Sequence, residues 1–119
     1  MLIQTHSKDN HLLFSIQKDI LMENSREFYQ EFEKSMEGHK FGKLTLDFAQ
    51  VKFLDSSGIG AVIKASSALH NRGIEIYVTN LNKNLNSVFR LSGLNHILSI
   101  LTFDEYITKF PEFTKALES

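Results

Sequence analysis

The 119-residue chain has no cysteine, and that excludes a disulfide framework, a thiolate nucleophile and any cysteine-based metal site. It also lacks a charge of one sign. Thirteen basic and fourteen acidic side chains leave a formal net charge of −1, so no overall field points to nucleic acid or an anionic membrane. No apolar run reaches membrane-spanning length. The opening residues, MLIQTHSKDN, show no basic region leading into an apolar stretch. A cytoplasmic protein is the expectation. Phosphate-loop glycines are missing too: Gly58 and Gly60 are not followed by a third glycine at dinucleotide-binding spacing, and no Gly-Lys-Ser/Thr occurs. Ser56 and Ser57 do not sit in Gly-x-Ser-x-Gly, the signature of a hydrolase nucleophile. His6, His11, His39, His70 and His96 are scattered without metal-ligand spacing and read as surface or boundary residues. No catalytic residue, metal or cofactor is expected.

What remains is an ordinary globular composition, 42% hydrophobic and 23% charged, long enough for one core. One domain over residues 1–119 is expected. Leu2–Ser7 and Leu12–Gln17 read as strands of a hairpin turning at Lys8, Asp9 and Asn10. Asn24–Glu37 places Phe28, Phe32, Ser35 and Met36 on one side of a helix, with Asn24 or Ser25 as cap and Gly38 as stop. Lys43–Val51 alternates Leu44, Leu46 and Phe48 with Thr45, Asp47 and Ala49, the pattern of a strand with one buried face. On that pattern Asp47 faces solvent or a neighbouring backbone. Strands over Ile74–Val78 and Ile97–Phe103 flank a helix over Asn82–Leu91, and Asp104 would cap a last helix that Pro111 splits. The order β-β-α-β-α-β-α-β-α predicts an α/β fold: a mostly parallel, mixed five-stranded sheet with helices packed against it.

The centre of the chain is QVKFLDSSGIG, Gln50 to Gly60, where a strand hands over to a helix running to about His70. Asp55, Ser56 and Ser57 are each able to cap that helix, and Gly58 and Gly60 let backbone or a partner come close. The plain reading is a capped helix after a core strand. The functional one is a serine displayed at a helix N-terminus, where a phosphate is electrostatically favoured. Ala61, Ala65 and Ala68 read as a flat face opposite the Ile59, Val62 and Leu69 stripe. Helix propensity alone accounts for alanines, and so does a closely packed partner.

Phe53-Leu54-Asp55-Ser56-Ser57-Gly58-Ile59-Gly60 resembles the signature of the STAS-domain anti-sigma factor antagonists of bacterial partner-switching systems. Leu91-Ser92-Gly93-Leu94 followed by Ile97-Leu98 is similar to a second pattern of that family. The resemblance covers nearly the whole chain. It implies an antagonist whose unphosphorylated form binds an anti-sigma factor that is itself a serine kinase, ATP-binding and of histidine-kinase-like fold, and so frees a sigma factor. It further implies that the kinase ends this binding by phosphorylating Ser56, and that a metal-dependent serine phosphatase restores it. Local chemistry permits Ser57 as well; the family pattern selects Ser56. On the same resemblance Asp55 shapes the loop, and Ser57, Gly58 and Ile59 lie in the contact surface; Ala61 and Ala65, on the flat helix face read above, adjoin it. Where many members have Gly-Asp/Glu before the first helix, this chain has Lys18-Asp19, and Asp19 takes the acidic role. The alternative is a STAS module without a switch, a transport accessory or signalling scaffold that binds its partner or ligand constitutively.

Overall fold

The computed structural model describes residues 1–118, so Ser119, the last residue of the expected domain, lies outside the described residues. Strands β1 (Ile3–Lys8) and β2 (His11–Ile16) form the antiparallel hairpin, closed at Asp9 and Asn10 with Asp9 in the left-handed region at φ 54°. Strands β3 (Lys43–Asp47), β4 (Glu75–Thr79) and β5 (Ser99–Leu101) then add one after another, all parallel, giving the spatial order β1-β2-β3-β4-β5. Between them run helices α1 (Ser25–Met36), α2 (Ser56–Asn71) and α3 (Lys83–Leu91). Each crossover steps the same way along the sheet. Right-handed connections therefore put all three helices on one face.

The register shows what that face buries. Leu12, Leu44 and Ile76 are cross-strand neighbours, as are Phe14, Leu46 and Val78. They pack with Phe28 and Phe32 of α1, Val62 and Leu69 of α2, and Leu85 and Phe89 of α3 in one apolar core. Period-2 alternation sends the intervening residues to the other face. That face is also buried, contrary to the one-sided strand expected for β3: Thr45 is fully buried and Asp47 nearly so. Helix α4 (Phe103–Lys109), a 3₁₀ turn over Pro111–Phe113 and helix α5 (Thr114–Glu118) cover it. Leu13, Tyr77, Tyr106, Phe110 and Phe113 form this second cluster.

A chain of polar groups threads the second cluster. His11 Nε2 lies 2.7 Å from Thr45 Oγ1, and the Tyr106 hydroxyl lies 2.6 Å from the same oxygen. The rings of Phe110 and Phe113 meet His11 edge-on at 4.7 and 4.8 Å between centroids. His11 is thus a core residue and not the surface or boundary residue its scattered sequence position suggested. Burial lowers its pKa to about 4 and raises that of Tyr106.

The element boundaries differ from the expected ones where side chains take over from pattern. Strand β5 is short because Leu94–His96 is a 3₁₀ turn, entered through Gly93 at φ 82°. Thr102, not Asp104, caps α4, in a reciprocal box with Glu105 that satisfies two amides at once. Neither Asn24 nor Ser25 provides a side-chain cap for α1. The Asn24 side chain is engaged elsewhere, in the site.

Candidate functional site

The parallel strands end at one edge of the sheet, and the segments that leave β2 and β3 lie side by side there. Ile20 and Leu54 pair as an isolated parallel bridge and point their side chains into the core. Around this bridge two carboxylates are exchanged. Asp19, on the first segment, accepts from the backbone N–H groups of Lys52 (2.7 Å) and Phe53 (3.1 Å) on the second. Asp55, on the second, accepts from the Met22 N–H (2.9 Å) on the first and from Gly58 (2.9 Å) in its own helix. These bonds, from Gly58 first and then from Met22, hold the Asp55 carboxyl below the usual carboxylate range. Asn24 closes the first loop: its Oδ1 accepts from the Leu21 N–H at 2.7 Å and its Nδ2 donates to the Asp19 carbonyl at 3.0 Å. Asn82 caps α3 and donates to the Lys52 carbonyl, so a third segment is tied in.

Gly58 sits under this arrangement. A Cβ there would lie 1.9 Å from the Ile20 carbonyl oxygen, so only glycine lets the two segments approach this closely. Asp47, the last residue of β3, also ties separate segments together. Its carboxylate accepts from Ser15 Oγ (3.0 Å), Asn80 Nδ2 (2.9 Å) and the Ala49 N–H (3.0 Å). It is buried and does not face solvent as one of the expectations had it; a backbone N–H, that of Ala49, is one of its three partners, and the other two are side chains.

Of the three candidate caps for α2, Asp55 is the one used. The hydroxyl of Ser56 is therefore not needed for capping, and Ser56 is exposed as the first residue of the helix. Ser57 is half-buried and lines an open groove between α1 and α2 with Arg26, Tyr29, Gly60, Ala61 and Lys64. Lys64 Nζ lies 4.2 Å above the Tyr29 ring in that groove. A phosphoryl group on Ser56 would meet the positive end of a sixteen-residue helix and bulk solvent, without displacing a core side chain.

Asp19, Asp55, Ser56 and Ser57 thus lie at one edge. The rest of the expected contact set divides. Ile59 and Ala61 are half-buried and pack against the core, and Ala61 also reaches the groove. Gly58 and Ala65 are buried, so neither faces a partner. Ala65 is 2% exposed because it stands three residues after Val62 and four before Leu69, inside the stripe it was expected to oppose. Ala68 alone of the three alanines is exposed. Sequence reasoning did not pick out Met22 and took Asn24 only as a candidate cap of α1. Asn24 had a signal, an Asx residue before a helix, but its bonds run backward to the loop. Met22 had none.

Among the described residues, no group of three histidine, cysteine or carboxylate side chains is placed to hold a metal ion. Among them, too, no helix is long and apolar enough to cross a membrane.

Over 57 residues the chain is 32% identical to the anti-sigma-B factor antagonist of Listeria monocytogenes. That match takes in 48% of this chain and 50% of the relative, so the chain spans about half the length of the curated relatives it matches. Among solved structures, an anti-sigma factor antagonist from Mycobacterium paratuberculosis superposes with a TM-score of 0.74 at 18% identity, covering 90% of this chain and 91% of that one. SpoIIAA of Bacillus in its phosphorylated form superposes at 0.66 with 17% identity, covering 91% and 98%. At such identities these two show the fold. The model of the STAS domain matches residues 3–107, from the first strand into α4, and the chain belongs to the STAS domain family.

Proposed function

We propose that this protein is an anti-sigma factor antagonist working in the cytoplasm. Its unphosphorylated form binds an anti-sigma factor that is also a serine kinase, and the sigma factor is released. Phosphorylation of Ser56 ends the binding, and a serine phosphatase of the metal-dependent class restores it. One observation carries the reading. Asp55 supplies the cap of α2, which leaves Ser56 exposed and its hydroxyl available at a helix N-terminus. Were Ser56 the cap, a phosphate there would remove a structural bond; as it stands, the phosphate acts across the interface. The relatives support the same reading: a Listeria protein named as an anti-sigma-B factor antagonist, and SpoIIAA solved both phosphorylated and unphosphorylated. The chain's residues perform no catalysis in this scheme. The kinase brings the nucleotide and the phosphatase its metal.

The test is capture from the native cell lysate with wild type, Ser56→Ala and Ser56→Asp as baits, the retained proteins being identified by mass spectrometry. Wild type and Ser56→Ala should retain a histidine-kinase-like ATPase that Ser56→Asp loses. Retention of the same protein by all three sinks the switch and leaves the constitutive module. Phosphosite mapping after incubation of the chain with the captured ATPase and ATP separates the two serines: the phosphate should be on Ser56 and not on Ser57.

A further inference from the structure

Asp47 is a buried carboxylate that the proposed switch does not use. Among the described residues the one side-chain ion pair is Lys43 with Glu75, so no cation is paired with Asp47. Three hydrogen-bond donors take the place of a cation, each from a different strand end. Ser15 is the last but one residue of β2, Asn80 follows β4, and Ala49 is two residues past Asp47 itself. Ser15, Asp47 and Thr79 are cross-strand partners in a single row.

The same three segments meet again at the Ser56 edge, a few residues further on. Ser15 is four residues before Asp19, Ala49 three before Lys52, and Asn80 two before Asn82. Asp19 accepts from the Lys52 N–H, and Asn82 donates to the Lys52 carbonyl. Asp47 therefore holds the roots of the segments whose tips Asp19, Lys52 and Asn82 join. Over runs this short, the direction in which each segment leaves the sheet decides where its tip lies. Asn80 is the plainest case. Its backbone is left-handed at φ 63°, and its side chain is bonded to Asp47 in that conformation. Val51 and Leu54 pack into the core, which sets the depth of the second segment, but apolar packing has no direction of its own.

We propose that Asp47 is a positioning residue for the phosphate acceptor: it holds the roots of three segments so that Ser56, at the tip of the second, is presented to the kinase in one place. This rests on the reading above that Ser56 is phosphorylated by the kinase it binds, and it adds why a carboxylate is buried behind the site. A hydroxyl, a side-chain amide and a backbone amide all donate here, and a carboxylate accepts from all three. Segments held more loosely present the acceptor correctly for only a fraction of the time, and the apparent affinity falls by that fraction.

The experiment is the initial rate of Ser56 phosphorylation by the ATPase captured on wild type, with ATP, against concentration of the full chain. Asp47→Ala should raise KM about tenfold and leave kcat within about twofold. Asp47→Asn should recover to within about threefold of wild type, because its oxygen still accepts from Ala49 and Asn80 and its amide can donate to the Ser15 hydroxyl. Asn80→Gly keeps the left-handed backbone and removes only the side-chain bond; it should raise KM about fivefold, and it carries the test if Asp47→Ala does not fold. Thr79→Val is the control within the row. The Thr79 hydroxyl is buried without a partner, so its removal should leave KM alone. Tyr106→Phe, which breaks a buried bond under α4, should leave KM alone as well and so separates positioning from stability. In the purified chain, amide exchange at Lys52 and Phe53 should quicken in Asp47→Ala and Asn80→Gly but not in the two controls. With Ser56 still phosphorylated, a KM within about twofold of wild type in each of these two variants that folds overturns the proposal alone. A raised KM with unchanged exchange at Lys52 and Phe53 overturns it too, and so does an equal rise in Tyr106→Phe. No phosphate on Ser56 of the wild-type chain sinks the reading of the site and the proposal with it.

Discussion

The edge around Ser56 and the sheet face beneath α4 both depend on polar side chains, but they use them in opposite ways. At the edge, Asp19 and Asp55 bind backbone N–H groups across two segments, and the side chains of Met22, Phe53 and Ser56 are left to solvent. Under α4, Thr45 holds His11 and Tyr106 side chain to side chain, and all three are buried. Fixing backbone with carboxylates shapes a surface while keeping its side chains free. Linking side chains inside a core sets which face a terminal helix covers. The first arrangement suits recognition, the second registry.

The sharpest way to break the edge is to separate its two segments. Gly58→Ala puts a methyl group 1.9 Å from the Ile20 carbonyl oxygen, a backbone atom that cannot step aside. The expected loss is about 3 kcal/mol or more, read by urea unfolding. Gly60→Ala is the control two residues on. A Cβ there meets nothing within 4 Å, and helix propensity should make that variant more stable by about 0.5–1 kcal/mol. Equal stability of the two variants would mean that the segments are not in close contact.

Removing a carboxylate is the next largest effect. Asp19→Ala strips the Lys52 and Phe53 amides of their acceptor, at a cost of roughly 2 kcal/mol. Amide exchange at these two residues should speed up, while that of Tyr106 does not. If exchange rises uniformly, the edge is not a separate unit. Asp55 carries a sign that can be checked as well. Its folded pKa is depressed, so its contribution is present above the unfolded value and is lost as pH falls through the folded one.

Much of this was legible in the sequence, and the limits were physical. The strand and helix order, the Ser-Ser helix start and the pairing of acid with serine follow from period and spacing. Ala65 was misplaced because a row of alanines has little hydrophobic contrast, so the stripe it belongs to is set by Val62 and Leu69. Buried His11 escaped because the residues that enclose it, Phe110 and Phe113, come from nearly a hundred residues away along the chain. Asp19 and Asp55 were marked as functional acids, yet no local pattern says that each would bond the other's loop. Long-range exchange of this kind is invisible until the strands are placed.

The back face offers smaller tests. Tyr106→Phe removes one member of the buried chain and leaves Thr45 with His11 alone, at a cost of about 1–1.5 kcal/mol by urea unfolding. Asp19→Ala and Tyr106→Phe should then add when combined, since they act on separate regions.

The pH dependence distinguishes the faces most finely. His11 has a folded pKa of about 4 against 6.5 when unfolded, because burial among Phe110, Phe113 and Tyr77 disfavours the imidazolium. The unfolded chain therefore takes up the proton first as pH falls. Stability from this group is complete above the unfolded value and is lost progressively between about pH 6.5 and 4. After allowance for solvent at the ring edge, the loss by pH 5 is about 1 kcal/mol. Glu112, which favours the charged ring, and Lys43, which opposes it, trim the value from either side. His11→Gln gives Thr45 a polar neighbour and cannot gain a proton, so its unfolding curve should shift less than that of wild type between pH 7 and 5. Exchange of the Tyr106 and Phe110 amides should quicken in the wild type over that window, while Met22 and Phe53 stay as they were. If the Ser56 edge loosens in step with α4, the two regions are one cooperative unit, and the separation between surface-shaping and helix-registering polar groups fails.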